Sequence, residues 1–141
     1  MKVLNDVTKV SVPAGKYWLT DPCYLVPEEL WMPLLNSCSF FEDPIGTVTD
    51  EDGKQHHVLA FGTAYGDGEY LDQFGHSFPV DAGLIGLVPV SLAGENNPGY
   101  LLVEFTEETI CTCNGGDMRF GKYRIDTRDG DDSDLDEEEQ D

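Results

Sequence analysis

Apolar and polar residues alternate along most of this chain, and the alternation sets its list of elements. "VTKVSV" (7–12) reads as a first strand, and Pro13-Ala14-Gly15 supplies a turn into "KYWLTD" (16–21), so a hairpin is expected to open the fold. Pro22 discourages further pairing of the second strand. In "VPEELWMPLLNSC" (26–38), Pro27 suits a first helical position, acids follow it, and Leu30, Leu34 with Trp31, Leu35 recur at helical spacing. One short helix is expected there, interrupted or kinked near Pro33. Residues 42–57 are polar and rich in turn formers, which predicts a loop or a small hairpin with Asp52-Gly53 at its tip. "VLAFGTAY" (58–65) returns to strand periodicity, with Leu59, Phe61, Thr63 and Tyr65 on one face and the small Ala60, Gly62 and Ala64 on the other. A small face implies a close neighbour, either backbone or ligand.

"GLIGLVPV" (83–90), "YLLVEFT" (100–106), "TICTCNG" (109–115) and "MRFGKYRID" (118–126) supply four more strand candidates, separated by Gly, Pro and Asn. Pro89 places its strand at an edge or ends it there. Seven or eight short strands with one short helix predict a mostly β (α+β) fold, an antiparallel sandwich or open barrel whose helix covers one opening. At 141 residues the chain is sized for one domain, read here as residues 1–126. Residues 127–141, ending "RDGDDSDLDEEEQD", offer too little apolar area to offset their ordering entropy and are expected to form a disordered acidic tail.

Charge changes the picture more than composition does. The formal net charge is −20, and residues 126–141 hold ten acids against the single base Arg128, leaving eighteen acids against seven bases before them. A body that is itself strongly negative repels nucleic acid and anionic membranes and attracts basic protein surfaces. No stretch approaches a membrane span, and "MKVLNDVTKV" has no continuous apolar segment of signal type, so a cytoplasmic protein is expected. In that compartment Cys23, Cys38, Cys111 and Cys113 stay reduced. "CTC" puts two thiols on one strand face without a C-x-x-C or His pair to complete a zinc set, so the cysteines read as structural; no metal or cofactor is expected. His56 and His57, adjacent in sequence, point to opposite faces of an extended chain and read as surface residues.

The candidate chemistry concentrates in "TAYGDGEYLDQFGHSFPVDAG" (63–83). Gly-Asp-Gly supplies the positive φ angles of a tight hairpin and as a turn needs no further role. Yet Asp67 and Tyr70 repeat the Asp-x-x-Tyr spacing of Asp21 and Tyr24 in "DPCY", each just after an aromatic-rich strand. Asp81 stands in the otherwise apolar "FPVDAG". Such a carboxylate caps its own Ala82-Gly83 turn, or is raised in pKa, or faces a cavity. Were Asp21, Asp67 and Asp81 to converge with Tyr24, Tyr70 and His76, they would form a ligand pocket able to bind a divalent metal or to work as general acid and base. No G-x-S-x-G, H-E-x-x-H, Walker-type or dinucleotide fingerprint accompanies them, so no catalytic residue is assigned from motifs. Lys16, Arg119, Lys122 and Arg124 are the sizeable cationic supply of the body, enough for a local basic pocket within an acidic whole.

"GKYWLTDPCY", "TAYGDGEY" and "FPVDAGLIG", in that order, resemble a group of small uncharacterised proteins of bacteriophage and bacterial genomes that share G-x-Y-x-x-x-DPCY, a GDG-x-Y turn and a PVD-x-G segment. The resemblance covers about residues 15–90 and carries no activity; it implies a phage-type origin and, by analogy, a role against a host system. The resulting expectation is a non-enzymatic acidic protein that inhibits a basic host nuclease or defence complex by presenting a nucleic-acid-like negative surface, with Asp50, Glu51, Asp52, Glu69 and Asp72 toward the partner. The alternatives are a pocket protein that sequesters or hydrolyses a small ligand such as a signalling nucleotide, and a virion-associated β domain. Sheet edges offer a route to a homodimer.

Overall fold

The computed structural model describes residues 7–128. Among the described residues, eleven strands, two helices and one 3-10 turn build two antiparallel sheets and a separate hairpin. The first sheet contains β1 (Thr8–Val12), β9 (Thr109–Asn114), β10 (Asp117–Phe120) and β11 (Tyr123–Asp126), in that spatial order. The second contains β2 (Gly15–Thr20), β3 (Ile45–Thr49), β4 (Gln55–Gly62), β7 (Leu84–Pro89) and β8 (Leu101–Phe105), ordered β3-β4-β7-β2-β8. β5 (Gly68–Leu71) and β6 (Ser77–Val80) pair only with each other. The antiparallel, mostly β reading of the sequence holds, with more strands than it counts.

Alternation explains why the five-stranded sheet is the middle layer. Leu19, Leu59, Phe61, Ile85 and Leu87 face the four-stranded sheet, where they meet Cys111, Met118, Phe120 and Ile125 together with Tyr70 and Phe78 of the β5–β6 hairpin. Their neighbours Trp18, Val58, Ala60 and Val88 point the other way, into a second cluster with Leu34 and Cys38. Those last two lie on or beside α1 (Glu28–Ser37), which covers the outer face of the sheet. Each fully buried Leu or Ile here contributes about 1.5–3 kcal/mol.

Two glycines permit close approach, one between layers and one within the middle sheet. A Cβ on Gly46 of β3 would lie 2.6 Å from Leu34 Cδ1, so α1 rests directly on that strand's backbone. At Gly86 of β7 a Cβ would come 1.8 Å from the Leu59 carbonyl oxygen, so β4 lies where any side chain would stand. The close neighbour implied by the small residues of β4 is therefore backbone: Ala60 is opposite Gly86.

Several local expectations change. The opening hairpin does not form, because β1 pairs with β9 while β2 pairs with β7 and β8; Pro13-Ala14 carries the chain from one sheet to the other. "MRFGKYRID" is two strands folded back at Gly121, whose φ is +63°. Gly-Asp-Gly closes no hairpin; it leads from β4 into β5, and the hairpin turn is Asp72–His76 instead. α1 runs through Pro33 as one helix, with Pro27 at its N-cap rather than inside it. Pro89 ends a central strand, not an edge one. Thr127, read as the start of the tail, belongs to the body: it is fully buried, and its hydroxyl donates to Gly116 O at 2.7 Å and accepts from Ala64 N–H at 2.9 Å. The remainder of the expected tail from 129 onward lies outside the described residues.

Gly86→Ala is expected to cost about 3 kcal/mol or more, since the clashing group is backbone. Gly53→Ala, with open space around it and φ at +82°, should cost about 1–2 kcal/mol. Urea denaturation of the two variants checks the ranking.

Candidate functional site

β2 delivers the first candidate, Asp21, to the mouth of the central sheet. The residue is fully buried at the entry to the 3-10 turn Pro22–Tyr24. Its Oδ1 accepts the Cys23 N–H at 3.0 Å, and its Oδ2 accepts the N–H groups of Asp81 at 2.9 Å and Ala82 at 2.7 Å. The capping expected of Asp81 is thus performed on Asp81, by Asp21. β2 and β7 are hydrogen-bonded neighbours, so the end of one strand faces the turn that starts the other, and the buried carboxylate takes the nearest amides. Asp81 itself is exposed. Burial first, then the Asp21 carboxylate, pushes the Cys23 thiol up to about 12, which keeps it protonated and poorly nucleophilic at neutral pH.

The two Asp-x-x-Tyr segments are used in opposite senses. Asp21 is buried and Tyr24 exposed, its ring 6.4 Å from that of Tyr100. Asp67 is exposed in its turn, while Tyr70 is buried in the inter-sheet core and donates its hydroxyl to Gly66 O at 3.0 Å. The shared spacing therefore builds no shared site.

His76 has a defined partner. Asp72 is buried; its Oδ1 accepts from the Phe74 and His76 N–H groups at 2.9 and 2.8 Å, and its Oδ2 lies 2.6 Å from His76 Nδ1. The contact fixes the half-exposed imidazole with Nε2 directed away from the carboxylate. A groove of about 470 Å³ runs beside it, lined by Thr20, His76, Phe78, Pro79, Tyr100 and Leu101. Of the six ligand candidates, His76 lines this groove and Asp21 and Tyr24 adjoin it through Thr20 and Tyr100. Asp81 joins them through Asp21, whereas Asp67 and Tyr70 are not among its lining residues.

A second cluster contains two residues that the sequence places on the surface. Asp50 organises the β3–β4 hairpin: its Oδ1 accepts the Asp52 and Lys54 N–H groups at 2.9 and 3.0 Å. Its Oδ2 is 2.8 Å from His56 Nε2, and His56 Nδ1 is 3.0 Å from Ser91 Oγ in α2 (Val90–Ala93). His56 is only 3 % exposed, a correction to its surface reading; it shares the inward parity of Val58 and Ala60, and that parity was the available signal. His57 is exposed and meets Thr47 Oγ1 at 3.0 Å. The His56 contact, with the Lys54 amide next, holds the Asp50 carboxyl below the usual range. A groove of about 350 Å³ passes this cluster, with Tyr17, Leu59, Leu87 and Pro89 beside His56 and Ser91.

Of the carboxylates assigned to a partner surface, Glu51, Asp52 and Glu69 are exposed, Glu69 accepting from the Ser77 hydroxyl. Asp50 is partly covered, and Asp72 is buried and faces no partner. Charge is segregated along the chain. Residues 13–108, which include the five-stranded sheet, its helices and the β5–β6 hairpin, hold sixteen acids against Lys16 and Lys54. Residues 7–12 and 109–128, which form the four-stranded sheet, hold Lys9, Arg119, Lys122, Arg124 and Arg128 against Asp117 and Asp126. Both of these aspartates are bound by Arg124 and Arg128 at 2.8–3.6 Å. In the sheet register Lys9, Thr112, Arg119 and Arg124 form one row across all four strands. Of the expected basic supply, Arg119, Lys122 and Arg124 thus gather at one sheet, while Lys16 lies on the other.

Among the described residues no three His, Cys, Asp or Glu side chains are arranged to hold a metal ion, and no helix is long and apolar enough to cross a membrane. Comparison with protein-family models, with curated proteins and with solved structures finds no match for the chain.

Asp21→Ala is expected to cost about 3 kcal/mol, because three N–H donors lose their acceptor; thermal denaturation reads the loss. At pH 8 Cys23 of the folded protein should react with iodoacetamide at least tenfold more slowly than in the urea-unfolded chain, as measured by peptide mass spectrometry.

Proposed function

We propose that this protein binds a basic macromolecular surface through the acidic face formed by α1, the segment after it and the β3–β4 hairpin. The observation that carries the reading is the charge segregation: a net of fourteen negative charges over residues 13–108 against a net of three positive charges over residues 7–12 and 109–128. Glu28 and Glu29 open α1, Glu42 and Asp43 follow it, and Glu51 and Asp52 project from the hairpin tip, all of them exposed. Carboxylates fixed on rigid elements present a persistent negative potential without an ordering cost on binding. The partner class is a protein with a nucleic-acid-binding groove, and the phage-type resemblance of residues 15–90 supports inhibition of a host nuclease or defence complex as the biological setting.

A second reading is favoured by the Asp72–His76 pair at its groove, where an oriented imidazole, the exposed Tyr24 ring and the half-buried Tyr100 ring suit a small planar ligand such as a nucleotide base. Asp81 remains part of this reading as a neighbour of Asp21; Tyr70 is a core residue and Asp67 is not among the groove's lining residues.

Binding to an immobilised basic nuclease, titrated with salt, separates the two. Docking by charge predicts an affinity that falls steeply between 50 and 300 mM salt (a range of about 1.4 to 0.6 nm in screening length) and at least tenfold on combined Glu28→Lys, Glu51→Lys and Asp52→Lys substitution. Affinity indifferent to salt refutes it. The groove reading predicts that His76→Ala alone removes binding of a nucleotide probe while leaving the nuclease interaction intact.

A further inference from the structure

Asp50, His56 and Ser91 are joined in a line that neither reading above uses. A carboxylate only accepts, so its contact at 2.8 Å assigns the proton of neutral His56 to Nε2 and leaves the lone pair on Nδ1. That lone pair faces the Ser91 hydroxyl at 3.0 Å. The polarity is carboxylate, imidazole, hydroxyl, the order in which a base is oriented by an acid and activates a nucleophile; such sets are recognised by geometry and role, not by sequence order. His56 is held away from bulk water, whereas Ser91 is exposed and lines the groove. Tyr17, Leu59, Leu87 and Pro89 make the adjoining wall apolar.

We propose that Ser91 is an activated nucleophile for acyl transfer from short-chain carboxylic esters, with His56 as its general base and Asp50 as a positioning residue. Ser91 Oγ attacks the ester carbonyl carbon as its proton passes to His56 Nδ1. The carbon–alkoxy bond then breaks, and the departing alkoxide takes that proton and leaves as the alcohol. Water repeats the sequence on the acyl-serine: it gives a proton to His56, adds its oxygen to the carbon, and Ser91 departs with the proton. One ester and one water become one acid and one alcohol. The apolar wall suits a short acyl chain better than a charged or sugar substrate.

The test uses the full chain with a fluorophosphonate probe and with p-nitrophenyl butyrate. A fluorophosphonate should form a Ser91 Oγ–phosphorus bond with loss of fluoride, located by peptide mass spectrometry, and ester turnover should fall at least a hundredfold in Ser91→Ala. Ser91 is exposed, so this variant tests the chemistry without removing a core contact. His56→Gln should label no faster than Ser91→Ala, and a variant that fails to fold leaves the Ser91→Ala comparison decisive. For Asp50, ¹⁵N spectra of the imidazole should show the single Nε2–H tautomer in the wild type and in Ser91→Ala, and a tautomer mixture in Asp50→Ala. A wild-type protein that takes no label at Ser91, or hydrolyses ester no faster than Ser91→Ala, overturns the proposal.

Discussion

The fold depends on a sheet that is buried on both faces. Four of its five strands, β2, β3, β4 and β7, carry apolar residues on both parities, so the sheet must be covered twice, by the four-stranded sheet with the β5–β6 hairpin on one side and by α1 on the other. Close contact at Gly46 lets α1 meet the sheet without a gap, and at Gly86 lets β4 and β7 approach closely within it. The cost appears at the ends of the central strands, where polar groups are forced inside. Asp21 at the end of β2 and His56 at the start of β4 are both nearly inaccessible, and both are satisfied by fixed partners. The candidate sites therefore sit where the covering layers stop.

That arrangement separates two kinds of surface. The acidic groups spread over the helix, the hairpin tips and the loops, where hydration is complete. The two grooves instead open at opposite kinds of boundary: one between β2, β8 and β6, the other between β1, β2, β4 and β7. The partner-binding exterior and the reactive hydroxyl proposed above are compatible in one domain, because long-range potential and local chemistry act over different distances.

Much of the strand content was legible because alternation survives wherever one face is buried, as in β8 and β10. Pairing was less legible. β1 and β2 are adjacent in sequence and joined by a good turn signal, yet β1 completes the other sheet, and no local residue encodes that choice. "MRFGKYRID" has the alternation of a single strand, yet the left-handed φ of Gly121 reverses the chain inside it. At the sites, residue type was informative and position was not. Asp21, His76 and Asp81 were singled out for their chemistry, but whether a carboxylate accepts its own turn's amides or another's depends on strand order. Asp72 followed by Gly75 carries the signature of a side chain that closes a turn, which explains its burial better than a surface role does. Ser91 had no signal of its own, because its partners lie more than thirty residues away.

The pairing of β1 with β9 has a further consequence. Thr8 lies opposite Cys113, so the sheet that contains both ends of the described chain closes over a separation of roughly 100 residues. During synthesis the middle layer can assemble while its covering sheet still lacks three of four strands, which leaves Leu59, Phe61, Ile85 and Leu87 uncovered on one side until β9 to β11 emerge. The chain's net negative charge is present throughout that interval, and mutual repulsion between nascent copies protects the open face from association until the last strands arrive.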